Sequence, residues 1–258
     1  MRTCFGLLAF GFLLASVAGC GGCGRDPDRL PVGATSGGVS DVEKVRSADV
    51  SILFVGNSHT SSHDLPNLVC EMIRFRHPEK TAYSHVVGVG FLEDVARDSR
   101  CREEIESRQW KFVVLQAQKI SVSGQQEYSR AEGIEIAKLA KARGATVYFF
   151  CEWGLRGVAD NGPRQEKVYR EMAGEAGAGV AAVNRAWDAA LAGRPDLPLY
   201  AADGNHQSAT GAFLTAAYLY GKLTGESPAP LSAFAYPDVS DADRSFLAEA
   251  AAKAAAVP

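Results

Sequence analysis

The sequence predicts a layered α/β fold, with a parallel sheet covered by helices on both faces. Two observations predict it. Apolar runs of strand length alternate with segments of helical spacing from residue 49 to the C-terminal region. The runs are apolar throughout rather than alternating, as strands buried on both faces require.

The elements follow in order. "DVSILFVGN" at 49–57 is a first strand, stopped by Gly56. "LPNLVCEMIRFRH" places Leu65, Leu68, Val69, Met72 and Ile73 on one helical face, with Asp64 at the N-cap position. "AYSHVVGVG" at 82–90 is a second strand. "LEDVARDSRCREEIESRQ" is a polar helix with Leu92, Val95 and Ile105 as its apolar contacts. "KFVVLQAQ" at 111–118 is a third strand, and "YSRAEGIEIAKLAKAR" is an amphipathic helix ended by Gly144. "ATVYFFCEWG" is a fourth strand and "RQEKVYREMAGEAG" a helix. "GVAAVNRAW" is a short fifth strand leading into "AWDAALAG". "QSATGAFLTAAYLYGKL" and "SDADRSFLAEAAAKAAA" are the last two helices, the second capped by Ser240. Crossovers between such strands are right-handed by default.

Composition narrows the function classes. The chain has 258 residues, 47% hydrophobic and 22% charged, with a formal net charge of −3 and no run of like charges. That is enough for one sizeable core. It offers no basic stripe for nucleic acid. No apolar stretch after residue 20 is long enough to cross a membrane. The first residues stand apart. Arg2 precedes an apolar region from Phe5 to Ala18, which reads as a secretory signal over 1–19. Its end, "SVAGC", resembles a bacterial lipobox and implies acylation of Cys20. The Gly-, Pro- and Ser-containing stretch that follows reads as a flexible tether over 20–48, leaving a folded domain over 49–258. An acyl anchor holds a protein to a membrane without spanning it. Export permits disulfides among Cys23, Cys70, Cys101 and Cys151, with buried free thiols the equal alternative. No CxxC pair exists in the folded region, so neither a zinc site nor any other cofactor is expected.

In a parallel α/β sheet, sites form beyond the carboxyl ends of the strands. The residues there are Gly56-Asn57-Ser58-His59, Gly88-Val89-Gly90, Gln116-Ala117-Gln118 and Glu152-Trp153. A serine hydroxyl becomes nucleophilic when a base takes its proton, and the base is usually a histidine oriented by a carboxylate. Of the five histidines, His206 lies three residues after Asp203, in a loop before a helix. That spacing lets the carboxylate reach Nδ1 and leaves Nε2 for a serine. His59 reads as a solvated residue and Glu152 has no assigned role.

"GNSH" at 56–59, the glycine at 90, "LQAQ" at 115–118 and "DGNH" at 203–206 resemble the ordered blocks of the SGNH (GDSL-type) hydrolase superfamily. "VVLQAQ", "AW" at 186–187 and "DGNHQSATGAFLTAAYLY" resemble a bacterial, often lipoprotein, branch of it. The resemblance implies a three-layer α/β/α sandwich with a flavodoxin-like sheet. It implies Ser58 as nucleophile, His206 as general base and Asp203 as the orienting acid. The oxyanion hole would comprise the Ser58 and Gly90 backbone N–H groups and a side-chain amide. Typical members supply that amide from asparagine; here Gln118 occupies the place, with Gln116 as the alternate. Asn57 replaces the usual Asp of the first block. The implied activity is ester hydrolysis in the bacterial cell envelope, on a small ester or an acylated carbohydrate. An acyltransferase and a non-catalytic carbohydrate-binding relative remain the alternatives.

Overall fold

The computed structural model describes residues 40–158 and 160–256. α1 (Asp41–Ser47) comes first, with Ser40 accepting a hydrogen bond from the Glu43 N–H. β1 (Val50–Gly56) runs into α2 (Ser58–Ser61), a 3₁₀ turn over Ser62–Asp64 and α3 (Leu65–Arg76). β2 (Ala82–Gly88), α4 (Ser99–Ser107), β3 (Phe112–Leu115), α5 (Ala131–Ala142), β4 (Thr146–Cys151) and α6 (Asn161–Ala176) follow. β5 (Gly179–Ala182), α7 (Val183–Gly193), α8 (Ala209–Thr224) and α9 (Asp241–Ala255) complete the chain.

The strands form one sheet of order β2-β1-β3-β4-β5, with every pairing parallel. The chain winds outward from β1 to β2, then returns to β1's other side and winds outward again through β3, β4 and β5. The switch in winding direction opens a crevice beyond the carboxyl ends of β1 and β3, where α/β proteins bind ligands. Register fixes the edge. Gly56 pairs with Gly88, Val55 with Leu115, Leu115 with Phe149, and Cys151 with Ala182.

Side chains alternate across each strand and so divide the core. Ile52, Phe54, Val114 and Phe150 join Leu65, Met72, Trp187, Phe213 and Leu247 on the face covered by α3, α7, α8 and α9. Leu53, Val55, Val113 and Phe149 join Val45, Ile105, Ile136 and Met172 on the face covered by α1, α4, α5 and α6. This is the three-layer sandwich that the sequence predicts. Fully burying one such side chain contributes about 2–3 kcal/mol.

Several expectations are corrected. Residues 41–47, expected within the tether, are helical. The end of the expected tether forms α1 because Val45 is apolar and reaches the core, where it is 3% exposed. The helix expected over 92–109 is two pieces, a 3₁₀ turn over Leu92–Ala96 and then α4. Asp98 adopts an extended conformation and its side chain caps the Arg100 N–H. Asp64 does not cap α3; it takes φ 50°, as His63 takes φ 56°, and its side chain bonds no helix N–H. The fifth strand ends at Ala182, and Val183 already starts α7. Cys70 and Cys101 lie in the cores on opposite faces of the sheet, so the sheet itself prevents their pairing. Both, and Cys151, are buried free thiols. Burial pushes Cys70 up to about 11 and Cys101 up to about 12, which keeps them protonated. Cys20, Cys23, the signal sequence and most of the tether lie outside the described residues. Among the described residues no helix is long and apolar enough to cross a membrane.

Candidate active site

The turn after β1 places Ser58. A Cβ on Gly56 would collide with Thr60 Oγ1 and lie 2.6 Å from Gln116 Oε1, so only glycine fits there. Gln116 Oε1 accepts from the Asn57 N–H (3.0 Å) and from the Thr60 hydroxyl (2.8 Å). That amide fastens the start of α2 to the end of β3. Asn57 caps the short helix: its Oδ1 accepts from the His59 N–H at 3.1 Å, and its carbonyl from Thr60 and Ser61 N–H. Ser58 is the first helical residue. Its backbone N–H has no partner among the described residues, and its hydroxyl faces the crevice beside His206.

His206 sits in the loop between Tyr200 and α8. An antiparallel bridge from Tyr200 to Gln207 and a bond from Ala201 N–H to the His206 carbonyl (2.8 Å) close this loop. Gly204 supplies the left-handed turn, φ 69°. Asp203 Oδ1 accepts from the Asn205 and His206 N–H groups at 2.9 and 3.0 Å. Its Oδ2 lies 2.5 Å from His206 Nδ1. Ser58 Oγ lies 2.7 Å from His206 Nε2. With Nδ1–H donated to Asp203, the Nε2 lone pair accepts the Ser58 proton. The His206 hydrogen bond, aided by the two backbone donors, holds the Asp203 carboxyl well below the usual carboxylate range. The structure thus brings Ser58, His206 and Asp203 into one chain of hydrogen bonds.

The two turns are also stitched together. Trp153 Nε1 donates to the Asn205 carbonyl at 2.8 Å, and His59 Nε2 lies 3.2 Å from the same oxygen. Gln207 Nε2 donates to the Ser62 carbonyl at 3.0 Å, and His63 Nε2 lies 3.2 Å from the Gln207 carbonyl.

Gly90 lies against this turn: Asn57 Nδ2 donates to its carbonyl at 3.2 Å, and its own N–H has no partner among the described residues. The Asn57 amide therefore links the first and second blocks. The Gln118 amide is not free to donate to an oxyanion. Gln118 Nε2 donates to the Ser129 carbonyl (2.9 Å) and the Lys119 carbonyl (3.2 Å). The reason is the backbone. Ala117 takes φ 81°, a left-handed turn directly after the strand, and Gln118 is spent holding the loop that follows. Gln116 is committed below the Ser58 turn. The Ser58 and Gly90 N–H groups are without partners among the described residues, and Gln116 Nε2 is buried without one.

Glu152, at the end of β4, lies in the floor of the crevice yet is buried. Its Oε2 accepts from the Tyr169 hydroxyl at 2.9 Å, and the Tyr169 oxygen accepts from the Gln118 N–H at 3.0 Å. Gln116 Nε2, turned toward this carboxyl, stops short of hydrogen-bond geometry. Burial dominates and pushes Glu152 up to about 7, against the bonds from its own N–H and Tyr169 and the nearby Gln116 amide. The crevice holds about 300 Å³, with Phe91, Ile120, Val122 and Leu155 giving it an apolar rim. Among the described residues no group of three or more His, Cys, Asp or Glu side chains could hold a metal ion.

No family model and no curated protein matches the sequence. Solved structures do. A protein from Slackia heliotrinireducens assigned to the SGNH hydrolases is 26% identical, spans 66% of this chain and 97% of its own, and superposes with a TM-score of 0.55. The chain is similar to the SGNH hydrolases and has their fold. Two more distant structures share the fold. A single-residue variant of an acetyl xylan esterase from Geobacillus stearothermophilus is 16% identical over 70% of this chain and 97% of its own, TM-score 0.55. A DUF4886 family protein from Bacteroides uniformis is 14% identical over 80% of this chain and 94% of its own, TM-score 0.55.

Proposed function

We propose that this SGNH protein is an exported serine esterase that hydrolyses small esters. The observation that carries the reading is the Ser58–His206–Asp203 chain at 2.7 and 2.5 Å, opening on a crevice at the switch point of the sheet. Ser58 Oγ attacks the ester carbonyl carbon while its proton passes to His206 Nε2. The carbonyl oxygen becomes an oxyanion, received by the Ser58 and Gly90 N–H groups. The tetrahedral intermediate collapses, the C–O bond to the alcohol breaks, and His206 returns the proton to the departing oxygen. Water, deprotonated by His206, then attacks the acyl–Ser58 ester; the bond between the acyl carbon and Ser58 Oγ breaks, His206 returns the proton to Oγ, and the carboxylic acid leaves. Asp203 holds the imidazole tautomer throughout and stabilises its protonated form without taking the proton.

An acetyl group on a carbohydrate is the substrate we favour. The support is the shared fold with an acetyl xylan esterase and the modest size of the crevice. Export and acylation of Cys20 belong to the same proposal and rest on the "SVAGC" sequence. The function is tested by hydrolysis of p-nitrophenyl acetate and of acetylated xylo-oligosaccharides. The wild type should turn over the nitrophenyl ester and Ser58→Ala should not. Full activity in Ser58→Ala, or none in the wild type, would overturn the reading. Transfer of acetyl to an added sugar in preference to water would make the protein an acyltransferase. For the anchor, Cys20→Ser should release the protein from membranes; continued membrane retention would contradict it.

A further inference from the structure

His59, the residue after Ser58, is not the solvated side chain that its position in a polar turn implies. Its ring stacks on His206, with centroids 4.9 Å apart and planes inclined by 24°. Its other neighbour is Trp153, at 5.3 Å and 47°. Trp153 stacks in turn on Trp187 at 4.1 Å and 9°. Trp187 is fully buried and donates from Nε1 to Thr215 Oγ1 at 3.1 Å. A column of four rings therefore runs from the candidate base into the core. His59 and Trp153 also converge on one oxygen, the carbonyl of Asn205, at 3.2 and 2.8 Å. Asn205 immediately precedes His206, so this oxygen sets the height and rotation of the imidazole above Ser58.

The protonation state of His59 follows from what faces it. Nε2–H donates to the Asn205 carbonyl. Nδ1 faces Asn57 Oδ1 at 3.3 Å, a contact that a second proton would satisfy. Burial opposes that proton most, followed by the neighbouring His206; the Asn205 bond and the Asp203 charge favour it less. The net effect is a lowered pKa. Burial thus favours the neutral His59 ring beside His206.

We propose that His59 is a positioning residue of the hydrolytic site: through the Asn205 carbonyl and by direct stacking it fixes His206 against Ser58, and it presents a neutral aromatic face to the imidazolium formed in the transition state. The inference rests on the reading of His206 as the base. It is distinct from a substrate-contacting role, which would act through KM.

The test compares His59→Ala, which loses ring and donor, with His59→Phe, which keeps the ring alone. In the wild type the Nδ1–H of His206 should give a far-downfield proton NMR signal from its short bond to Asp203. His59→Ala should broaden or abolish this signal and lower kcat about tenfold, the worth of roughly one neutral hydrogen bond, with KM within about twofold. His59→Phe should keep a sharper signal and an intermediate kcat. Melting temperatures identify any variant that loses the signal by unfolding, and His59→Phe then carries the comparison. An unchanged signal and unchanged kcat in His59→Ala would overturn the inference, as would a loss confined to KM. The NMR signal reads positioning without turnover, so a wild type lacking esterase activity would refute the proposed function and leave the result for His59 legible.

Discussion

Replacing Glu152 by Gln removes the one buried carboxyl in the crevice floor whose ionisation burial resists. The carboxyl rises from an ordinary value of 4.5 to about 7 in the folded protein. Each unit is worth about 1.4 kcal/mol, so the shift corresponds to about 3 kcal/mol. The sign follows from proton counts. Between these two values the folded chain holds a proton that the unfolded chain has released, so stability falls as pH rises through this window. Below it both states are protonated, and above it both are ionised, with the folded state carrying the full cost. Gln has nearly the same shape, accepts from Tyr169 and carries no charge. The variant should therefore match the wild type near pH 4.5 and exceed it by about 3 kcal/mol at pH 8, or roughly 6–12 °C in melting temperature for a domain of this size. Melting curves of both proteins across that range read the difference. His59 and Asp203 also titrate, but they do so in both proteins and cancel. Parallel curves, with no gap opening as pH rises, would refute the burial argument.

Three further outcomes follow from the site. Asp203→Asn should leave the loop folded but let His206 take the wrong tautomer, lowering kcat on p-nitrophenyl acetate by about 10²–10⁴. Gln118→Ala should change kcat by less than about threefold, because its amide holds the Ser129 and Lys119 carbonyls; loss of a true oxyanion donor would cost about 10²–10³. Gly56→Ala drives a methyl into Thr60 Oγ1 and should destabilise the domain by about 1–3 kcal/mol in urea unfolding.

Much of the fold was legible because its signals are local or repeated. The unbroken apolar runs at 52–55 and 112–115 marked strands buried on both faces. The polar residues after them marked the sheet edge that became the crevice. Asp203 and His206 were legible because three residues of spacing in one turn bring a carboxylate to Nδ1. What stayed hidden depends on backbone turns and distant partners. Nothing in "LQAQ" announces that Ala117 takes a left-handed conformation, and that turn decides where the Gln118 amide is spent. His59 read as solvated because its partners, His206 and Trp153, come from the loop before α8 and from the end of β4. Glu152 had no readable role because Tyr169, which bonds it, arrives from α6. α1 carries two valines in a polar stretch, Val42 and Val45, of which only Val45 is buried, too weak a signal to separate a packed helix from a tether.

That Ser58 is the nucleophile, activated by His206, is tested most directly by intact-mass and peptide analysis after treatment with a fluorophosphonate. One adduct per chain is expected, on the peptide carrying Ser58, absent in Ser58→Ala and formed far more slowly in His206→Ala. An unlabelled wild type, or an adduct on any other residue, would contradict it.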